Sequence, residues 1–205
     1  MLTWPKFLTK YFHAVRLSAF DTKGDLSLSY KLGEVLISRE EIAQRVKAVA
    51  AEIARDSEKG KPLVIVGILT GAAFFLTDLV RELPEDLDVR VDFMSVASYG
   101  DSTKTSGVVR IFHDLKTNIE GKNVIVVEDI IDSGLTLSHL LGLLQGRNPA
   151  SLKVCVLLDK KERRQVEVKV DYCGFSIPDK FVVGYGLDCA GMWRHLKDIK
   201  YVIEE

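Results

Sequence analysis

Cysteine is scarce in this chain. Its three thiols, Cys155, Cys173 and Cys189, are an odd number without metal-ligand spacing in 205 residues. That argues against a disulfide framework and for a reducing, cytoplasmic compartment. The four histidines, His13, His113, His139 and His195, are scattered and form no metal motif. Excess charge of either sign is missing too. A count of 28 Lys and Arg against 29 Asp and Glu leaves a formal net charge of −1, which offers no bulk attraction to nucleic acid or a membrane surface. No apolar run reaches the roughly 18–20 residues that cross a bilayer. The glycine fingerprint of a dinucleotide fold and the Gly-Lys-Ser/Thr ending of a P-loop are absent, and there is no internal repeat. What is present, 47% hydrophobic and 28% charged residues, suits one globular domain with a full core.

Residues 123–137 organise the rest. Val124, Ile125, Val126 and Val127 form a β-branched run, as in a strand covered on both faces. Polarity then changes abruptly. Glu128, Asp129 and Asp132 place three carboxylates within five residues, and Ser133, Gly134, Leu135 and Thr136 lead into an apolar helix. Open α/β sheets bind ligands where a buried strand meets a polar turn and a helix N-terminus. Exposed amides there suit a phosphate, but carboxylates beside it would repel it. A division of labour resolves the conflict. Glu128 and Asp129 accept hydrogen bonds from sugar hydroxyls, with a divalent cation nearby, while residues 133–136 hold a phosphate further along. The ligand so described is a phosphorylated ribose; the plainer alternative is an acidic surface loop.

The remaining chain supplies a scaffold. Residues 1–20 carry Lys6, Lys10 and Arg16, no acid, and apolar Phe7, Leu8, Tyr11, Phe12 and Val15 at helical spacing. A transit peptide or membrane-surface helix would use that pattern, but a terminal extension packing on the domain or a partner is the reading adopted. Residues 21–33 read as linker or turn. Ser38, Arg39, Glu40 and Glu41 form a capping box, opening a helix whose apolar face is Ile42, Val46, Val49, Ala50 and Ile53. Residues 63–68 are a second buried strand, running into Leu69-Thr70-Gly71 and a helix through Phe74, Phe75, Leu79 and Val80. Val89, Val91 and Phe93 alternate with polar residues, as on the apolar face of a half-buried strand. Residues 98–107 are small and polar, a mobile lid or a long hairpin loop. Residues 152–158 are another buried strand, ending in the charge run Asp159-Lys160-Lys161-Glu162-Arg163-Arg164. Such a run is usually a solvated loop, although Lys160 sits at the strand end, where ligands are met. Val166, Val168 and Val170 again alternate, and residues 179–188 form a last strand-like piece.

Residues 126–136, Val-Val-Glu-Asp-Ile-Ile-Asp-Ser-Gly-Leu-Thr, resemble the phosphoribosyl-pyrophosphate signature of the type I phosphoribosyltransferases. The Glu-Asp-Ile-Ile-Asp form is most similar to the hypoxanthine-guanine branch. The resemblance covers residues 32–203 and implies an α/β fold, a core of mostly parallel strands flanked by helices with a small hood built from both chain ends. Residues 1–30 would be an N-terminal extension and 31–205 the phosphoribosyltransferase domain. By the same resemblance Leu69, Thr70 and Gly71 hold pyrophosphate, often through a cis peptide, although Thr70 stands where Lys or Arg is usual. Ser98 and Tyr99 match the catalytic lid. Lys160 matches the lysine that meets the purine 6-oxo group, Phe181 the aromatic that stacks on the base, and Val182 the residue whose backbone touches its edge. Arg194 matches a pyrophosphate-binding arginine. Mg2+ is the implied cofactor, with Glu128 and Asp129 near one ion and Asp188 at a second, directly or through water. Leu135 departs from relatives that carry Lys in that turn.

The expected activity is transfer of phosphoribosyl from 5-phosphoribosyl 1-pyrophosphate to hypoxanthine or guanine, with Asp132 exchanging a proton with purine N7. The resemblance also implies a homodimer or homotetramer. Two rivals share the scaffold. An RNA-binding attenuation regulator needs a basic face, against which the overall charge argues. A xanthine- or adenine-using enzyme is the other. Lys160 opposes adenine, because an ammonium donates and cannot accept from its amino group.

Overall fold

The computed structural model describes residues 30–58, 60–101 and 104–204, with side chains at 97–109 and 204 left aside. The expectations for residues 1–20 and for most of 21–33 lie outside the described residues. From Tyr30 onward the chain is strand, not linker: β1 (Tyr30–Ile37) pairs antiparallel with β9 (Ile199–Glu204), which also pairs with β8 (Val182–Val183). This three-stranded sheet is the hood, and it does join both chain ends. Main-chain pairing of Tyr30 with Glu204 overrides the local turn signal of its polar, glycine-containing sequence.

The core is a six-stranded sheet in the order β4-β3-β2-β5-β6-β7. It comprises β2 (Leu63–Leu69), β3 (Val89–Asp101), β4 (Lys104–His113), β5 (Asn123–Ile131), β6 (Ser151–Asp159) and β7 (Tyr172–Ser176). Only the β3–β4 pair is antiparallel. Helix α1 (Arg39–Asp56) begins at the expected capping box. Ser38 Oγ accepts from Glu41 N at 3.3 Å, and Ser38 N donates to Glu41 Oε2 at 2.9 Å. Its predicted apolar face is the buried one.

Order and connections together fix where a ligand can sit. From β2 the chain crosses through α2 (Ala73–Arg81) to β3 on one side. From β5 it crosses through α3 (Leu135–Gln145) to β6 on the other. Right-handed crossovers leaving in opposite directions put their helices on opposite faces of the sheet. Phe75, Leu76 and Leu79 of α2 accordingly share a core with α1, Ile125 and Val127, while Leu137, Leu140 and Leu144 of α3 share one with Val124 and Val126. Between the carboxyl ends of β2 and β5 a crevice opens, the switch point at which such sheets bind ligands.

Three expectations are corrected by the tertiary structure. On β3 the period of two holds, but the most deeply buried face is Asp92 and Met94, and Val91 is 43% exposed. Asp92 lies inside because its carboxylate accepts from the N–H groups of Phe93, Lys116 and Thr117, at 2.8, 2.9 and 2.7 Å. Residues 166–170 form no ladder. Val168 and Val170 lie on the α3-side core, and pairing with β6 starts at Tyr172 opposite Cys155. Of the strand-like piece 179–188, only Val182 and Val183 are strand, and they belong to the hood.

Candidate functional site

Both predicted ligand loops meet at the crevice. β2 ends in Leu69-Thr70-Gly71, whose Leu69–Thr70 peptide is cis. β5 ends in the carboxylates. The two are in close contact: a Cβ built on Gly71 would lie 1.6 Å from Asp129 Oδ2, so only glycine lets this turn approach that side chain. Asp129 Oδ1 accepts from Ile130 N at 2.9 Å. Burial pushes the Asp129 carboxyl up to about 6. The Ile130 and Asp129 backbone N–H groups and the Arg194 charge restrain that rise, and Asp188 adds to it. Glu128 has a half-buried stem, but its Oε2 is shut from solvent without a hydrogen-bond partner. Burial, then the neighbouring Asp129, drives its carboxyl well above the usual range.

At the turn expected to hold a phosphate, Gly134 has φ 82°, the left-handed region that glycine tolerates best. A Cβ there would stand 2.7 Å from Val166 O and 3.0 Å from Arg164 Cδ. Ser133 O accepts from Gln165 N at 2.9 Å and Val166 N at 3.2 Å, and Leu135 N donates to Ser133 Oγ at 3.4 Å. Helix α3 begins at Leu135 with Gly134 as its N-cap, and no side chain caps it. Thr136 lies in its first turn, where unpaired N–H groups suit an anion. Sequence reasoning missed Arg164. Its Nε donates to Asp132 O at 3.2 Å and its Nη2 pairs with the buried Asp159 at 2.5 Å. Arg164 thereby ties the turn to β6. Two adjacent arginines just beyond a strand end were the available signal.

Among the residues expected to meet the base, Lys160 is only 6% exposed. Its ammonium lies 3.8 Å from Asp179 Oδ1. Burial lowers its proton affinity, the nearby charges of Asp132 and Asp179 oppose that, and Arg163 adds to it. Phe181, on the short approach to β8, is 40% exposed. Val182 is buried in the hood. Asp132 sits beside the cations Arg163 and Lys160.

Around the β2 loop, Arg194 donates through Nη1 to Gly186 O at 2.6 Å and pairs through Nη2 with Asp188 Oδ1 at 2.6 Å. Asp188 Oδ2 accepts from Gly191 N at 2.6 Å. Gly186 abuts Gly71 O, so closely that a Cβ would be 2.1 Å away. Leu69, Thr70, Gly71, Asp129, Asp188 and Arg194 are therefore one neighbourhood, and Thr70 is exposed in it. Ser98 and Tyr99 lie on β3 opposite Val109 and Val108. The segment expected as lid or hairpin is, where described, two long antiparallel strands.

Magnesium suits this chemistry. Mg2+ is commonly bound by one or two carboxylates plus substrate phosphates, not by a complete protein cage. Among the described residues no cluster of three or more His, Cys, Asp or Glu forms such a cage. The buried Glu128 Oε2, which has no hydrogen-bond partner, is an acceptor that fits such an ion or its bound water. Asp188 already accepts one bond at each oxygen, and each keeps a lone pair for a metal-bound water.

The phosphoribosyl transferase domain family matches residues 36–190. The hypoxanthine-guanine phosphoribosyltransferase of Dictyostelium discoideum is 50% identical over 173 residues, which cover 84% of this chain and 96% of that protein. Its counterpart in Bacillus subtilis is 46% identical over 169 residues, 82% of this chain and 92% of that one. Among solved structures, a hypoxanthine-guanine phosphoribosyltransferase from Bacillus anthracis, with a HEPES molecule in its active site, superposes with a TM-score of 0.79. It is 46% identical and covers 85% of this chain and 99% of its own. With likeness of this extent in sequence and fold, the chain belongs to the phosphoribosyl transferase family, in its hypoxanthine-guanine branch.

Proposed function

We propose that the protein is a purine-salvage enzyme. It transfers phosphoribosyl from 5-phosphoribosyl 1-pyrophosphate to N9 of hypoxanthine or guanine, giving IMP or GMP and pyrophosphate. The observation that carries this reading is the contact of Asp129 with Gly71 at the sheet's switch point. It joins a sugar-binding acid to a pyrophosphate loop, while Lys160 and Asp132 stand on the base side.

In this reading the hydroxyls of ribose donate to Glu128 and Asp129, and residues 133–136 hold its 5-phosphate. Leu69, Thr70 and Gly71 present backbone to the pyrophosphate, and Arg194 supplies it a charge. Phe181 stacks on the purine, Val182 meets its edge with main chain, and Lys160 donates to the 6-oxo group. The bond from C1 of ribose to pyrophosphate breaks, its electron pair leaving with pyrophosphate, and the bond to N9 forms as Asp132 takes the N7 proton. General acid–base help of this kind is typically worth about 10²–10⁴-fold. Ser98 and Tyr99 on the β3–β4 hairpin exclude water from the sugar. Glu128 and Asp129 would hold one magnesium ion and Asp188 a second, directly or through water; when bound, such ions would offset charge on the departing pyrophosphate.

Residues 31–205 form the catalytic unit and 1–30 an extension. Three unpaired thiols support a cytoplasmic setting, and no described helix is long and apolar enough to cross a membrane. A homodimer or homotetramer belongs to the same reading, supported by the 42% exposed Phe74 and the groove it shares with Tyr185 and α1. Light scattering giving the mass of one chain would remove that part.

A nucleotide-formation assay with each purine base, with and without magnesium, tests the activity. Product from hypoxanthine or guanine only when metal is present is the expected result, and no product from any base would end the proposal. Asp132→Asn should lower turnover far more than it weakens substrate binding, and unchanged turnover would take Asp132 out of the mechanism.

A further inference from the structure

The base side of the site contains a cation that the proposed reaction leaves unused. Arg163 Nε lies 3.2 Å from Asp132 Oδ1, and Arg163 Nη1 lies 3.6 Å from Asp179 Oδ1. Lys160 Nζ is 3.8 Å from that same Asp179 oxygen. Charges alternate along Asp132, Arg163, Asp179 and Lys160, and the two ends of this series are the groups assigned to the base. Those ends are also close enough to influence each other electrostatically. Without Arg163, Asp132 would be an unmatched anion facing the Lys160 ammonium. Direct pairing of the two would withdraw both from a ligand.

Asp132 is unevenly exposed. Its side chain is 41% open, yet Oδ1 is shut from solvent and makes no hydrogen bond. The Arg163 contact is an ion pair lying off the N–H direction. The open oxygen is therefore Oδ2. We propose that Arg163 is a positioning residue for the transfer reaction. It holds Asp132 Oδ1 from the loop side, so that Oδ2 faces the purine, and it keeps Lys160 apart from Asp132, so that the ammonium meets the 6-oxo group. A guanidinium suits the task because its planar fork spans two carboxylates, which an ammonium does not. This rests on the 6-oxopurine reading of the site. It also gives a role to an arginine whose setting, a charge run after a strand, otherwise reads as a solvated loop.

Steady-state nucleotide formation tests it, with hypoxanthine and guanine as bases. The proteins compared are the wild type, Arg163→Gln, Arg163→Lys, Asp132→Asn and the Arg163→Gln/Asp132→Asn double variant. Arg163 is 44% exposed, so replacing it leaves the core intact. Arg163→Gln should lower kcat/KM for the base by about fivefold, the ceiling for a half-exposed ion pair, with the KM for 5-phosphoribosyl 1-pyrophosphate unchanged. Arg163→Lys should recover part of the loss. In the Asp132→Asn background the same Gln substitution should cost much less, because the group it positions is gone. An unchanged kcat/KM for the base, or an equal loss in both backgrounds, overturns the role of Arg163. A wild-type chain that makes no nucleotide from any purine would instead remove the function on which the role rests.

Discussion

Replacing Gly71 by alanine adds one methyl group at the most crowded point of the site. The new Cβ would lie 1.6 Å from Asp129 Oδ2 and 2.4 Å from its Cγ. Ordinary contact begins at 3.4 Å, so the shortfall is about 1.8 Å. The backbone cannot yield outward, because Gly186 is already packed on Gly71 O. Asp129 must therefore swing away and give up its bond from Ile130 N. Misplacing a binding group by an ångström or more typically costs about 10²-fold, and kcat/KM for 5-phosphoribosyl 1-pyrophosphate should fall by that order. Overpacking costs about 1–3 kcal/mol of stability, or roughly 2–4 °C of melting temperature per kcal/mol at this chain length. The matched control is Gly142→Ala on α3, where an added Cβ meets nothing within 4 Å. It should stabilise by about 0.5–1 kcal/mol without touching kinetics. Nucleotide formation under varied 5-phosphoribosyl 1-pyrophosphate, alongside thermal melts, reads both effects. Wild-type kcat/KM for that substrate in Gly71→Ala would refute the contact as the basis of sugar binding.

Three further outcomes follow from the same geometry. Asp92→Asn leaves backbone donors facing an amide and should destabilise by about 1–3 kcal/mol in denaturant titrations; a neutral result would mean that water replaces the lost bonds. Burial alone would raise the Asp92 carboxyl, but the N–H bonds from Thr117, Phe93 and Lys116 outweigh it and hold the group below its ordinary value. Its contribution is thus present above about pH 4 and lost as pH falls through the folded-state value. Asp129 has the opposite sign. Raised from 3.8 to about 6, it favours the fold most below its unfolded value, and that support disappears as pH rises through 6. Denaturation of the metal-free protein across this window should show a fall in stability that Asp129→Asn makes smaller, the remainder belonging to Glu128; an equal fall in the variant assigns the titration elsewhere. Glu128→Gln should raise the melting temperature, by about 1–2 kcal/mol of stability, because a buried carboxylate without a partner is costly. The same change should lower activity, and a variant both less stable and fully active would contradict the assignment.

Much of the fold was legible because local rules and burial agree there. The β-branched runs of β2 and β5 are covered on both faces, so unbroken apolarity marks them without knowledge of their neighbours. Ser38 and Glu41 cap α1 within one turn, a contact only three residues long. The carboxylates of β5 stood out because their polarity breaks with the strand that carries them. Legibility failed where a distant partner decides. Val91 faces solvent because Asp92 was taken inward by the turn near residue 116. Val182 and Val183 left the core sheet because β9 was available in the hood.

Sequence alone determined which chemistry this chain carries and where the buried strands β2 and β5 hand over to their turns, since those are properties of neighbouring residues. Tertiary structure alone decided what those turns meet. Gly71 against Asp129, Arg164 behind the turn at residues 132–134 and Arg163 across Asp132 and Asp179 all join residues brought together by different crossovers and the hood. Opposed crossovers from β2 and β5 create the crevice, and a linear pattern has no term for that closeness.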